Sequence, residues 1–217
     1  MTWEQEQNDI QKNIQRKVMT DNENIWDKLL HIKTSGRDDS NSDQYRYPYE
    51  PTPYSVLERL ANCGLIRKGD TVLDYGCGKG RVSFFLSYQT KAKTIGIEYD
   101  ERIYTRAAEN QKTARSKADF VFGRAEELEI PAEVNVCYFF NPFSVEILKS
   151  VLARITESYY EAPREIYLFF YYPSDEYMCC LAAADEFEFY DEIDCTDLFS
   201  GNDRRERIMI FRLPMME

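Results

Sequence analysis

The sequence predicts an α/β fold: a doubly wound, mostly parallel sheet, preceded by a helical extension and ended by an antiparallel C-terminal strand. Three observations lead there. From residue 71 onward, short runs of apolar residues alternate with stretches whose apolar positions recur at helical spacing. Strands that are apolar throughout must be covered on both faces, which is the setting of parallel strands joined through helices. Near the end, Ser200-Gly201-Asn202-Asp203 separates two strand-like runs, a turn signal that makes them an antiparallel pair at one sheet edge.

Residues 1–50 read as a helical extension and linker, a segment able to act as a lid. Ile10, Ile14 and Val18 are spaced by four, as are Ile25 and Leu29, giving apolar stripes on two helices divided near Asp21-Asn22. Thr34 to Asp43 is polar and rich in turn residues, and reads as a mobile linker. Tyr45 to Tyr54 carries Pro48, Pro51 and Pro53, which favour extended backbone over helix.

Residues 51–217 form the main domain. A helix runs from Ser55 to Cys63 and stops at Gly64. Thr71–Tyr75 is the first strand and Arg81–Tyr88 the helix after it. Thr94–Glu98 is the second strand, and Asp100 or Glu101 opens a helix carrying Ile103 and Ala107. Phe120–Phe122, Val134–Phe140 and Glu165–Tyr172 are three further strands, with a helix from Val145 to Tyr159. Phe187–Cys195 and Arg207–Leu213 make the antiparallel pair. No internal repeat is visible.

Composition narrows the function classes. With 43% hydrophobic and 14% aromatic residues, a chain of 217 can bury an ordinary core. Lys and Arg total 27 against 38 Asp and Glu, for a net charge of -11, so nucleic acid is disfavoured as a partner unless a local basic face exists. The densest basic run, Arg204-Arg205 to Arg207, is interrupted by Glu206 and reads as a solvated turn. Cysteines at 63, 77, 137, 179, 180 and 195 form no Cys-x-x-Cys pair, and His31 is the single histidine, so no zinc or other metal is expected. Cys77 and Cys137 read as small buried side chains, and His31 as structural or exposed. The polar N-terminus and the lack of a long apolar run predict a cytoplasmic chain without a membrane span. Oligomeric state is left open.

The segment that carries chemistry is Asp74-Tyr75-Gly76-Cys77-Gly78-Lys79-Gly80, directly after the first strand. In such sheets ligands bind outside the carboxyl ends of the strands. Alternate glycines let the backbone turn tightly and a ligand approach without a Cβ in the way. The following helix aims its N-terminal amides at that ligand. Glu98 ends the second strand about twenty residues on, where a carboxylate can accept both hydroxyls of a ribose.

Val72-Leu-Asp-Tyr-Gly-Cys-Gly-Lys-Gly-Arg-Val82 resembles the signature of the class I (Rossmann-like) S-adenosylmethionine-dependent methyltransferases. The resemblance runs from about residue 50 to the end, and implies a seven-stranded sheet with its last strand antiparallel. It implies S-adenosylmethionine as cofactor. Asp74 and the backbone of Gly76, Cys77, Gly78 and Gly80 would hold the methionine portion, and Glu98 the ribose. Tyr99, Arg124, Ala125 and Asn141 complete the implied cofactor set. Arg124 stands where the family often has an Asp or Asn accepting from the adenine amino group. A guanidinium cannot accept, so backbone atoms or Glu126 would have to read the base.

Phe139-Phe-Asn-Pro-Phe-Ser144 is similar to the Asn/Asp-Pro-Pro-aromatic motif of amino-group methyltransferases, without the second proline. It implies that Asn141, Pro142 and Phe143 position the acceptor. Tyr49, Thr52, Pro53 and Tyr54 either close over the cofactor or pack on the sheet edge. Tyr171, Tyr172 and Pro173 end the fifth strand on the same rim. The expected activity is methyl transfer to an unidentified acceptor, with protein, amine or small molecule favoured over nucleic acid. Two alternatives stay open: a binding module for the nucleoside that performs no transfer, and a nicotinamide oxidoreductase. The dinucleotide fingerprint needs its third glycine at position 81, which is Arg here.

Overall fold

The computed structural model describes residues 21–40 and 43–215. The sequence-predicted helix over Ile10 to Val18 lies outside them. Strands β1 (Thr71–Tyr75), β2 (Lys93–Glu98), β3 (Asp119–Phe122), β4 (Val136–Phe139), β5 (Ile166–Tyr171), β6 (Glu188–Asp194) and β7 (Arg207–Leu213) make one sheet in the order β3-β2-β1-β4-β5-β7-β6. The first five pair in parallel, and β7 runs antiparallel between β5 and β6. Every residue of β1 is buried, as its unbroken apolar run requires for a central strand. The register sets Asp74 between Gly96 of β2 and Tyr138 of β4, at the carboxyl ends of the strands.

Helices α1 (residues 21–30), α2 (Tyr54–Ala61), α3 (Arg81–Thr90), α4 (Glu101–Thr113), α5 (Val145–Glu161) and α6 (Asp175–Ala182) surround the sheet. Two apolar clusters result, one on each face. One packs Tyr75, Ile97 and Phe139 against Leu148 and Ile155 of α5, and the other packs Val72, Val136 and Phe169 against Leu57 of α2 and Phe85 of α3.

Four sequence expectations change. Helix α6 was not anticipated, although Ser174 caps it by accepting from the Tyr177 amide at 3.2 Å and Asp175 and Glu176 occupy its first turn. Ser200–Asp203 lies within the β6–β7 connection, which spans residues 195–206 and includes the short 3-10 turn Thr196–Leu198, so the pair is joined by a long loop. Ile25 of the expected apolar stripe is exposed, and α1 turns inward the face of Glu23, Trp26, Asp27 and Leu30. That face is partly acidic because it meets a buried cation, Arg81. Finally, residues 34–40 are not loose: Thr34 is fully buried, and Asp38 pairs with Tyr49 through two backbone hydrogen bonds.

Candidate functional site

Gly76 and Gly78 both adopt positive φ, 68° and 59°, so the turn doubles back at the head of the sheet. A Cβ on Gly76 would collide with Pro142, and one on Gly78 with the ring of Tyr49. Gly80, also at positive φ, caps α3 and lets Arg81 begin the helix. Glu98 braces the turn from the neighbouring strand. Its Oε2 accepts from the Gly78 amide at 2.9 Å and its Oε1 from the Asp100 amide at 2.8 Å. Burial raises the Glu98 carboxyl above its ordinary value. Asp74 is 2% exposed and accepts from Ser83 Oγ at 2.8 Å. Burial pushes its carboxyl up to about 7, with the Glu98 charge adding in the same direction. The buried Asp74 and half-buried Glu98 carboxyls thus line a cleft of about 1000 Å³, counted out to its open mouth. They are ready to receive a cation or hydroxyl donors.

Residues 34–40 and 43–52 cross this cleft. Tyr49 lies on the glycine turn, with its hydroxyl donating to Thr34 O at 2.5 Å and Lys79 Nζ 4.5 Å from its ring centroid. Arg46 reaches across to Glu126 at 2.6 Å and stacks 4.1 Å from the Tyr99 ring. At the other side, the Tyr47 amide donates to Pro142 O and the Ser144 amide to Tyr45 O. The strap is therefore fastened to the ends of β2, β3 and β4. Of the residues singled out in this segment, Tyr49 and Thr52 line the cleft, whereas Tyr54 is fully buried in the core.

Arg81 ties the strap and α1 to the turn. It is 2% exposed and makes a close ion pair with Glu23. Its Nε donates to Thr34 Oγ1 at 2.7 Å, and its guanidinium lies 4.4 Å from the Tyr54 ring centroid. Asp27 accepts from the Thr34 amide at 2.7 Å and from Tyr54 Oη at 2.6 Å, and its Oδ1 is 3.9 Å from Arg81 Nη2. Desolvation lowers the Arg81 pKa to about 9, so it remains a cation near neutrality.

At the other end of the cleft lie Asn141, Pro142 and Phe143, the predicted acceptor trio. The Asn141 amide is committed to the fold: its Nδ2 donates to Tyr172 O and its Oδ1 accepts from the Ser174 amide at 3.3 Å. Phe143 is 4% exposed and packs edge-on against Tyr75 and Phe139. Pro142 lies on the cleft wall above Gly76. The wall beyond it is Phe140, whose ring centroid is 4.7 Å from Tyr171 and 6.4 Å from Tyr172. Asn141 and Tyr172 both have positive φ, 39° and 50°, which is strained for side chains of this size.

Of the predicted cofactor residues, Asp74, Gly76, Cys77, Glu98, Tyr99 and Ala125 line the cleft. Gly78, Gly80, Arg124 and Asn141 do not. The Arg124 side chain is half exposed and leans 3.8 Å from Glu127. Cys77 and Cys137 are buried, His31 is exposed at the end of α1, and no metal-binding cluster occurs among the described residues. Nor does any described helix have the length and apolarity to cross a membrane. Sequence reasoning missed Arg46, Tyr75 and Arg81. Arg81 had a visible signal, a cation directly after three glycines with acids in the preceding helix. Two buried polar atoms, Tyr75 Oη and Arg81 Nη2, have no hydrogen-bond partner among the described residues. The bare turn at Gly76, with the Asp74 and Glu98 carboxyls beside it, fits a ligand that carries cationic and hydroxyl groups.

Residues 72–160 match the family described as "Methyltransferase domain". The chain is 32% identical over 110 residues to a protein-lysine N-methyltransferase of Saccharolobus islandicus, covering 49% of this chain and 68% of that one. Among solved structures, a TehB-like S-adenosylmethionine-dependent methyltransferase from Corynebacterium glutamicum has a TM-score of 0.53 at 19% identity, over 71% of this chain and 86% of that one. A Pyrococcus abyssi tRNA (uracil-54, C5)-methyltransferase in complex with S-adenosyl-L-homocysteine has a TM-score of 0.55 at 12% identity, over 84% and 45%. These structural likenesses establish the fold, and the sequence matches establish more than the fold. With its glycine turn, paired carboxyls and strand order, the chain belongs to the class I S-adenosylmethionine-dependent methyltransferases.

Proposed function

We propose that this methyltransferase acts on the ε-amino group of lysine side chains in proteins. The observation that carries the reading is the mouth beside Phe140. Aromatic rings and carboxylates meet there: Tyr172 Oη donates to Asp203 at 2.5 Å, Tyr171 Oη donates to Glu206 at 2.6 Å, and Glu50 lies on the cleft wall. A cation already uses this surface, since the Arg205 guanidinium sits 4.5 Å from the Tyr172 ring centroid. Burial raises the Glu206 carboxyl, with the neighbouring Asp203 and Glu50 charges adding to the effect and the Tyr171 hydroxyl and Arg205 opposing it. An ammonium is drawn to such a rim and then loses hydration between the rings, which favours the neutral amine that can attack. The Saccharolobus islandicus relative, named as a protein-lysine N-methyltransferase, supports the same acceptor.

Bound cofactor supplies an electrophilic methyl group on a positively charged sulfur. In this reading Asp74 receives its ammonium group, Glu98 its ribose hydroxyls, and Tyr99, Gly123 and Ala125 flank its base. Residues 43–52, with Tyr49 over the glycine turn, close the methionine side as a lid. The nitrogen lone pair forms the new N–C bond as the S–C bond breaks, and the protein contributes alignment more than acid–base chemistry. The test is transfer of radiolabel from S-adenosylmethionine to lysine-rich proteins, before and after chemical acetylation of their lysines. Label that disappears on acetylation supports the proposal. Label that persists, or that goes only to RNA or small molecules, overturns it.

A further inference from the structure

Beside the acceptor mouth lies a cation place that the cleft itself does not include. Tyr172 is fixed there at three points. Its amide donates to Arg207 O at 2.9 Å, its carbonyl accepts from Asn141 Nδ2, and its hydroxyl donates to Asp203 at 2.5 Å. Its φ of 50° is strained for a side chain of this size, and strain of this kind gathers at ligand clamps and active sites. The Arg205 guanidinium covers one face of the ring, 4.5 Å from its centroid, while Phe140 of the cleft wall stands nearly perpendicular to it at 6.4 Å. Arg205 also grips Asp203 with Nη2 at 2.8 Å and Nε at 3.2 Å, and Asp175 of α6 adds its charge. Hydrogen bonds from Arg205 and Tyr172 hold the Asp203 carboxyl well below its ordinary range, so it stays charged. Arg205 is half exposed, within reach of a docking chain. Exposed ion pairs and exposed cation–ring contacts are individually weak, so another cation can take the position by exchange.

We propose that Tyr172, Asp203 and Asp175 form a binding subsite for a second basic side chain of the acceptor protein, a place that Arg205 fills in the free enzyme. The side chain seated there is not the reacting lysine, because Tyr172 and Asp203 do not line the cleft and Tyr172 stands one ring beyond Phe140. A lysine or arginine near the target replaces Arg205, keeps the ion pair and the ring contact, and so holds the target amine at the Phe140 wall. A neutral side chain offers nothing in return for the lost pair, which favours basic stretches of an acceptor. The inference rests on the lysine-acceptor reading above.

Steady-state methylation of a short oligolysine, and of a peptide of equal length with one lysine among serines, tests it in wild type, Arg205→Gln and Arg204→Gln. Arg204 is an exposed neighbour, so its substitution removes the same charge without opening the subsite. Arg205→Gln should lower KM for the oligolysine by about two- to fivefold and leave KM for the single-lysine peptide nearly unchanged. Arg204→Gln should move both peptides little and equally. Adding Tyr172→Leu to Arg205→Gln changes no charge and should return the oligolysine KM to the wild-type value or above it. Equal changes at the two peptides, or a change no larger than that of Arg204→Gln, overturns the subsite. Absence of transfer to either peptide by wild type is a separate result that overturns the lysine-acceptor reading, and the subsite with it.

Discussion

Burial holds the Asp74 carboxyl at about 7, against an ordinary value of 3.8, and on the proposed cofactor placement this makes binding depend on pH. The folded protein keeps the proton that the unfolded chain loses. This residue's contribution to stability is therefore whole below 3.8 and is lost as pH rises through about 7. The difference is worth roughly 4 kcal/mol at most. A ligand ammonium needs the ionised form, so S-adenosylhomocysteine should bind more tightly as pH rises through about 7. Asp74→Asn should raise the melting temperature of the ligand-free protein at about pH 8 and abolish the stabilisation given by S-adenosylhomocysteine. Thermal shift from about pH 5 to about pH 9 measures both effects. A ligand shift that is flat across that range would separate Asp74 from the ammonium. Gly78→Ala tests the turn. Its φ of 59° and the Tyr49 ring leave no room for a Cβ, so stability should fall by about 1–3 kcal/mol, with tightness of cofactor binding falling alongside.

Among elements, α1 is joined to the cofactor site by charge rather than by an apolar stripe. Arg81→Met would leave Glu23 and Asp27 facing a buried hole without their cation. A loss of about 3–5 kcal/mol is expected in urea unfolding, together with weaker S-adenosylhomocysteine binding as the strap loosens. Unchanged cofactor affinity would show that α1 and the strap are independent of the site. The ends of β4 and β5 form a second linked unit, since Asn141 holds two strained turns together through Tyr172 O and the Ser174 amide. Asn141→Ala should cost about 1–3 kcal/mol and lower kcat through misalignment of the Phe140 wall. S-adenosylhomocysteine affinity should stay within about twofold, because neither hydrogen bond reaches the cofactor end. A large loss of that affinity would instead make Asn141 a cofactor contact.

Over the whole molecule, the net charge of -11 and the acidic mouth should make acceptor capture depend on salt. KM for a lysine-rich protein should rise as ionic strength goes from about 0.01 M to about 1 M, while kcat holds, because screening weakens attraction before docking and leaves the closed site alone. A KM indifferent to salt would argue for an uncharged acceptor. The contrast between strands and side chains shows how much of this was legible in the chain itself. The bounds of β1 and β7 and the start of α3 could be read directly, because continuous apolar runs and glycine turns are local properties. The same holds for the glycine turn and for the place of Glu98 at the end of β2, which follow from residue type and spacing. The α6 cap was equally local and was overlooked. What Asn141 and Arg124 do was not legible, since a side chain's partners come from distant segments: Asn141 is taken by β5 and α6, and Arg124 turns outward. Nor could the sequence show that Ile25 is exposed while Glu23 and Asp27 turn inward, because that depends on Arg81 arriving from far along the chain. Local pattern, then, determined the order of elements and the cofactor turn. The tertiary structure decided which side chains remain free to meet a ligand, because hydrogen bonds and ion pairs between distant residues use up the others.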